Sequence, residues 1–213
     1  MPPRAPSLPP DERRASIIEA TRRLILDRGA APTTREVAEA AGIAEGTVFR
    51  HFASKDDLVH AALVDALDPT EVCAAIEAVD PCHDLDTRMV ELMTVVRSAV
   101  RSISGTAASL HAVRAASQTS AHPGQPGPHP QRHRSDRLTV WNTAVRTSLA
   151  RCLEPDRSRF TLPLDLVCHL VVTVAATGLR PFETAPGDVD ARQLATLLLH
   201  GALTPQESSC SSD

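Results

Sequence analysis

Along the first part of the chain, apolar side chains recur three and four residues apart between short polar breaks, and this spacing predicts a run of helices. From Asp11 to Arg28 the stripe is Ile17, Ala20, Thr21, Leu24 and Ile25, with Arg13, Arg14, Glu19, Arg22, Arg23 and Asp27 elsewhere and Gly29 as the stop. Thr33, followed three residues later by Glu36, forms a capping box that opens a second helix. Ala38 and Ala41 give that helix a small-residue face that another helix can cross closely. Gly42 then supplies the left-handed residue that ends it and turns the chain. Ile43, Val48 and Phe52 fit the apolar positions of a third helix, leaving Glu45, Thr47, Phe49, Arg50 and His51 free to meet a partner. The stretch from Thr33 to Leu58, TTREVAEAAGIAEGTVFRHFASKDDL, therefore reads as a helix-turn-helix. The expected core of this three-helix bundle is Ile17, Leu24, Ile25, Val37, Ala38, Ile43, Val48, Phe52 and Leu58.

The periodicity continues beyond it. A helix capped by Ser54 runs through SKDDLVHAALVDAL and ends before Pro69, and further helical patterns fall at 69–79, 85–103 and 136–153. Residues 164–179 and 189–203 carry broad apolar faces with few charges. No segment alternates with period two, so the fold class is all-α. Domains are expected at 11–57 for the helix-turn-helix and 58–205 for a second helical domain, with a proline-rich arm over 1–10 and a tail over 206–213, both disordered. The stretch near 118–135, QTSAHPGQPGPHPQRHRS, is too rich in Pro and Gly to bury a core and reads as a mobile loop. Its His122, His129 and His133 lack the fixed geometry that a metal requires, and the same holds for Cys82 with His83. No metal and no cofactor are expected.

Composition narrows the picture. The chain has 213 residues, 42% of them hydrophobic, enough for a real core. Its most apolar segment, 162–179, is interrupted by Asp165 and His169, and its start, MPPRAPSLPP, lacks the apolar run of a secretory leader. Five scattered cysteines, Cys73, Cys82, Cys152, Cys168 and Cys210, fit free thiols in a reducing compartment. A cytoplasmic protein without a membrane partner is the expectation. The formal charge of −4 argues against phosphate binding by the chain as a whole, but the local face decides, and Lys55, the single lysine of the chain, lies beside Arg50 and His51. No nucleophile with an adjacent base, no phosphate-cradling glycine loop and no metal spacing is present, so an enzyme is not expected.

The run AAGIAEGTVFRHFASKDDL resembles the signature of TetR-type transcriptional repressors: Gly46, Thr47, Val48, Phe49, Arg50, His51 and Phe52, followed by Ser54, Lys55, Asp56, Asp57 and Leu58 opening the next helix. The resemblance implies DNA contacts by Thr34, Arg35, Glu45, Gly46, Thr47, Phe49, Arg50, His51 and Lys55. Gly46 removes a side chain where the helix approaches DNA, and Thr47 can bond a base or phosphate. Arg50 suits either a guanine or a phosphate. Glu45 suits a cytosine amino group or repels phosphate as a specificity device. Phe49 stands where the family commonly has tyrosine, and Ala44 where many members have a Ser or Thr cap. The last two helices resemble the pair through which such proteins dimerise, which makes Val167, Leu170, Val171, Val174, Leu194, Leu197 and Leu198 candidate interface residues. The resemblance further implies a homodimer on a palindromic double-stranded operator, released when a small-molecule effector binds among the middle helices. Met89, Met93, Val96, Leu110, Val113, Trp141 and Val145 are the candidate lining. A ligand-independent architectural DNA-binding dimer is the alternative.

Overall fold

The computed structural model describes residues 9–28, 30–118, 130–176 and 190–200, and every regular element among them is helical, as the periodicity predicts. In chain order these are α1 (Pro10–Arg28), α2 (Thr34–Ala40), α3 (Glu45–His51), α4 (Lys55–Ala66), α5 (Thr70–Glu77), α6 (Leu85–Gln118), α7 (Pro130–Leu153), a 3-10 helix (Glu154–Arg159), α8 (Leu164–Ala175) and α9 (Ala191–His200). Two compact units emerge, each built from two stretches of the chain. One comprises Met1–Cys73 with Ser98–Val145, the other Ala74–Arg97 with Arg146–Asp213. The reason is that the long helices α6 and α7 each give one end to either unit.

In the first unit, Ile17, Val37, Ala38, Val48, Phe52 and Leu58 form one buried cluster, with Leu24 and Ile43 packed against it. This is the expected bundle core with one exception. Ile25 belongs instead to a second cluster, with Val59, Leu63 and Leu67 of the α4 region and Ala107, Leu110 and Val113 of α6. Thus α1 buries two faces, which its own apolar stripe does not reveal. Arg22 fastens α1 to α4 through Asp65 at 2.7 Å and reaches Glu71 of α5 at 3.5 Å. Thr21 is buried but satisfied, its hydroxyl donating to the Ile17 carbonyl at 2.8 Å. In α7, Trp141 is 2% exposed and its indole N–H meets no hydrogen-bond acceptor among the described residues.

The second unit buries Ile76, Met89, Leu92, Met93, Val96, Leu149, Leu153, Val171 and Cys168. Glu77 at the end of α5 accepts from Ser148 at 3.3 Å and pairs with Arg151 at 2.9 Å. Arg88, only 3% exposed, pairs with Asp156 of the 3-10 helix and also donates to the Cys152 carbonyl at 3.5 Å. Arg97 donates to the carbonyl of Ala175, the last residue of α8, where a cation favours the helix dipole.

Two boundaries correct the sequence reading. α6 runs 34 residues to Gln118, well beyond the expected end at Ile103. Gly105 lies in the added stretch, and a Cβ there would lie 3.4 Å from the Ile25 side chain, so the glycine sits where α6 meets α1. Tertiary contact there outweighs a helix-propensity cost of roughly 1 kcal/mol. α7 begins at Pro130, a favoured first helical position, so residues 130–135 are helix although the sequence predicts loop. The arm over 1–8, Gly29, the loop positions 119–129 and the tail lie outside the described residues. Among the described residues, no helix is long and apolar enough to cross a membrane and no His, Cys, Asp and Glu cluster could hold a metal ion.

Two measurements test this packing. Gly105→Ala should stabilise the fold by about 0.5–1 kcal/mol, because 3.4 Å is an ordinary contact and the helix gains propensity; a lowered melting temperature would mean that the α1 crossing is tighter. Burial pushes the Cys168 thiol up to about 11. The folded thiol holds its proton more tightly than the unfolded one, so the associated stability is complete below the unfolded pKa and is lost as pH rises through about 11. At pH 8 a thiol reagent should label exposed Cys82 in the native protein and reach Cys168 only after unfolding, as read by peptide mass spectrometry.

Candidate nucleic-acid interface

The turn between α2 and α3 is fixed by backbone chemistry. Thr33 caps α2: its hydroxyl accepts from the Glu36 amide at 3.2 Å, and the Glu36 carboxylate accepts from the Thr33 amide at 2.7 Å. That amide bond and the Thr33 hydroxyl, which donates to the same carboxylate at 2.9 Å, together with the neighbouring Arg28 guanidinium, hold the Glu36 carboxyl below its usual range. At the other end, Gly42 takes φ +65°, its amide bonds the Glu39 carbonyl at 3.2 Å, and the Ile43 amide reaches back to Ala38 at 2.9 Å. This is a complete Schellman arrangement, and it is the reason a glycine is needed at that position.

α3 emerges from the turn with Ala44 as its N-cap and no side-chain hydrogen bond there, as the absence of Ser or Thr predicts. Val48 is the one buried residue of α3 and Phe52 follows it into the core, where the Arg14 guanidinium lies 4.4 Å above the Phe52 ring. The opposite side is open. Phe49 is 55% exposed, Arg50 is exposed with no ion pair among the described residues, and a Cβ added to Gly46 would meet nothing within 4 Å. Thr47 and His51 are half-buried at the flanks.

Other candidates are already engaged within the chain. Thr34 donates to Glu45 at 2.7 Å, latching the start of α2 to the start of α3 and turning the Glu45 carboxylate toward a hydroxyl. Arg35 pairs with Glu39 one turn on at 3.1 Å, both exposed. Lys55, half-buried at the start of α4, donates to the Ala31 carbonyl at 3.5 Å. Ser54 caps that helix by accepting from the Asp57 amide, and Asp57 accepts from the Ala53 amide. Sequence reading missed the Thr34–Glu45 latch and the Arg14–Phe52 contact, because neither pairing has a local spacing signature.

Leu110 and Val113 are packed in the cluster beneath α1 and α4, and Trp141 and Val145 are buried in that same unit, whereas Met89, Met93 and Val96 are buried in the other. Of the candidate dimer residues, Val167, Val171 and Leu194 are buried within the chain itself, where α8 packs on α9. Leu170, Val174 and Leu198 are half-buried and Leu197 is 45% exposed, which leaves these four, with exposed Leu166 and Leu162 nearby, as the accessible apolar face.

Residues 17–62, from within α1 to within α4, match the profile of the bacterial regulatory proteins of the tetR family. Over 67 residues the chain is 39% identical to the HTH-type transcriptional repressor KstR2 of Mycolicibacterium smegmatis, covering 30% of this chain and 33% of the relative. Over 60 residues it is 47% identical to the HTH-type transcriptional regulator TtgR of Pseudomonas putida, covering 28% of each. Both are transcriptional regulators rather than enzymes, and the match spans a third or less of their length. The fold likeness extends further. A TetR transcriptional regulator from Streptomyces coelicolor superposes with a TM-score of 0.57 at 21% identity, over 88% of this chain and 97% of that one. A tetR-family regulator from Mesorhizobium loti superposes at 0.55 and 15% identity, over 92% and 95%. Residues 17–62 are thus similar to the helix-turn-helix domain of the tetR family of bacterial regulatory proteins, and the likeness beyond them is one of fold.

Proposed function

We propose that this protein is a cytoplasmic transcriptional repressor that binds a palindromic operator as a homodimer and leaves it when a small molecule binds. The observation that carries the DNA-binding part is the open face of α3, with Gly46 bare, Phe49 exposed and Arg50 without an ion pair among the described residues, on a helix locked from behind by Val48 and Phe52. A helix so presented enters a major groove, whose edges carry the sequence code. Phe49 offers a ring to sugars and thymine methyls, and Arg50 offers a bidentate fork. Glu45, bonded by Thr34 through one carboxylate oxygen, keeps the other to accept from a cytosine amino group. A two-fold pair of such readers spans half-sites about 34–36 Å apart. Effector binding weakens operator affinity by as much as the effector prefers the DNA-incompetent state.

An architectural, ligand-independent dimer is favoured by one observation: Met93, Val96, Trp141 and Val145 are fully packed as core. A thermal-shift screen with apolar metabolites separates the readings, since only a sensor gains stability from a ligand. Selecting bound fragments from random DNA tests the whole proposal; a palindrome supports reader and dimer together, and fragments without two-fold symmetry refute the dimeric reader.

On the selected site, Arg50→Ala should cost about 1–3 kcal/mol if the guanidinium reads a base. An equal loss on random DNA would assign it to phosphate instead. Lys55→Ala should weaken both and lower the salt slope by about one unit. The dimer is tested at its accessible face: Leu166→Glu with Leu197→Glu should yield monomers by sedimentation that keep their helical signal and lose tight operator binding. A wild type that sediments as a monomer at micromolar concentration would overturn that assignment.

A further inference from the structure

The second unit holds a cleft of about 240 Å³ whose apolar walls include Leu85, Met89, Val167, Leu170 and Leu198. This is below the roughly 300–1,000 Å³ of sites for drug-sized ligands, so it suits a slender chain rather than a fused ring system. Polar groups collect at its edge: Arg159, Thr161, Asp86 and His200.

Around Asp156 the charges do not cancel. Asp156 is paired with Arg88 and also, at 3.1 Å, with Arg159, so one carboxylate faces two guanidiniums and a positive charge is left over. Arg88 is buried, whereas Arg159 is 55% exposed and borders the cleft, so the surplus charge is presented by Arg159. Asp86, the one carboxylate among the lining residues, has its Oδ1 engaged by His200 Nε2 at 2.5 Å, which leaves Arg159 as the lining group with several N–H donors to offer an anion. An apolar slot with a cationic edge is complementary to an amphipathic anion.

The geometry points to a binding site for a medium-chain aliphatic carboxylate, its tail among Leu85, Met89, Val167 and Leu170 and its head on Arg159 and Thr161. This deepens the effector reading by naming a ligand class and rests on that reading for its regulatory consequence; Met89 is the residue shared with the lining expected from the sequence. Leu170 and Leu198 also belong to the candidate dimer face, so an occupant would touch two of its residues.

Calorimetric titration of the full chain with sodium octanoate, 1-octanol and octyltrimethylammonium, without DNA, tests the site. Octanoate should bind once per chain, about tenfold more tightly than octanol, the margin of one charge-assisted hydrogen bond, with the cationic probe weakest. Arg159→Gln should bring octanoate down to the octanol level and leave octanol unchanged, since Arg88 keeps its pairing with Asp156. Thr161→Trp, at an exposed edge position, should block both probes. Absence of octanoate binding, equal affinity for octanoate and octanol, or a carboxylate preference that survives Arg159→Gln would each overturn the proposal. Because DNA is absent, these failures leave the effector reading untouched, and that reading fails separately if no small molecule releases the operator.

Discussion

A seven-residue helix is too short to persist in water, and α3 has neither a side-chain N-cap nor more than one buried residue of its own. Its position is imposed from outside, by the burial of Val48 and Phe52 against Ile17, Val37, Ala38 and Leu58. Burying a side chain of that size is worth about 1.5–3 kcal/mol, more than the cap that Ala44 does not supply. Of the exposed residues of α3, only Glu45 helps to hold the helix, through its bond from Thr34; the others are free of that task.

The same logic makes α4 the shared wall of the first unit. Leu58 belongs to the cluster behind α3, and its neighbour Val59 belongs to the cluster that joins α1 to α6. Ion pairs reinforce both attachments: Arg22 with Asp65 toward α1, and Arg114 of α6 with Asp56 at 2.9 Å in the first turn of α4. Lys55 stands next to Asp56, so the proposed phosphate contact adjoins the residue that ties α4 to α6.

The parts of this architecture that were legible in the sequence are those written locally. The Thr33–Glu36 box, the Gly42 turn, the missing cap at Ala44 and the Ser54 start each depend on residues within a few positions, and the structure shows all four. Features that depend on distant partners were not legible. Ile25 faces α6 rather than the bundle core, Gly105 lies at the crossing of α6 with α1, and Glu45 is occupied by a hydroxyl eleven residues earlier. The broad apolar pattern of α8 likewise conceals two jobs. Val167 and Val171 fill the chain's own core, while Leu166 and Leu170 on the adjoining strip remain accessible to different degrees. Periodicity reports that a face is apolar; which neighbour covers it is settled only by the fold.

Trp141 gives the molecule an unusual optical character. The chain has one tryptophan and no tyrosine, so its near-ultraviolet emission comes from a single buried indole in α7. With no hydrogen-bond acceptor for its N–H among the described residues and almost no exposure, that indole emits from an apolar surrounding, toward the blue. Every rearrangement that brings water or a polar group to that position shifts the colour of the whole protein, so its state can be followed in solution without a label.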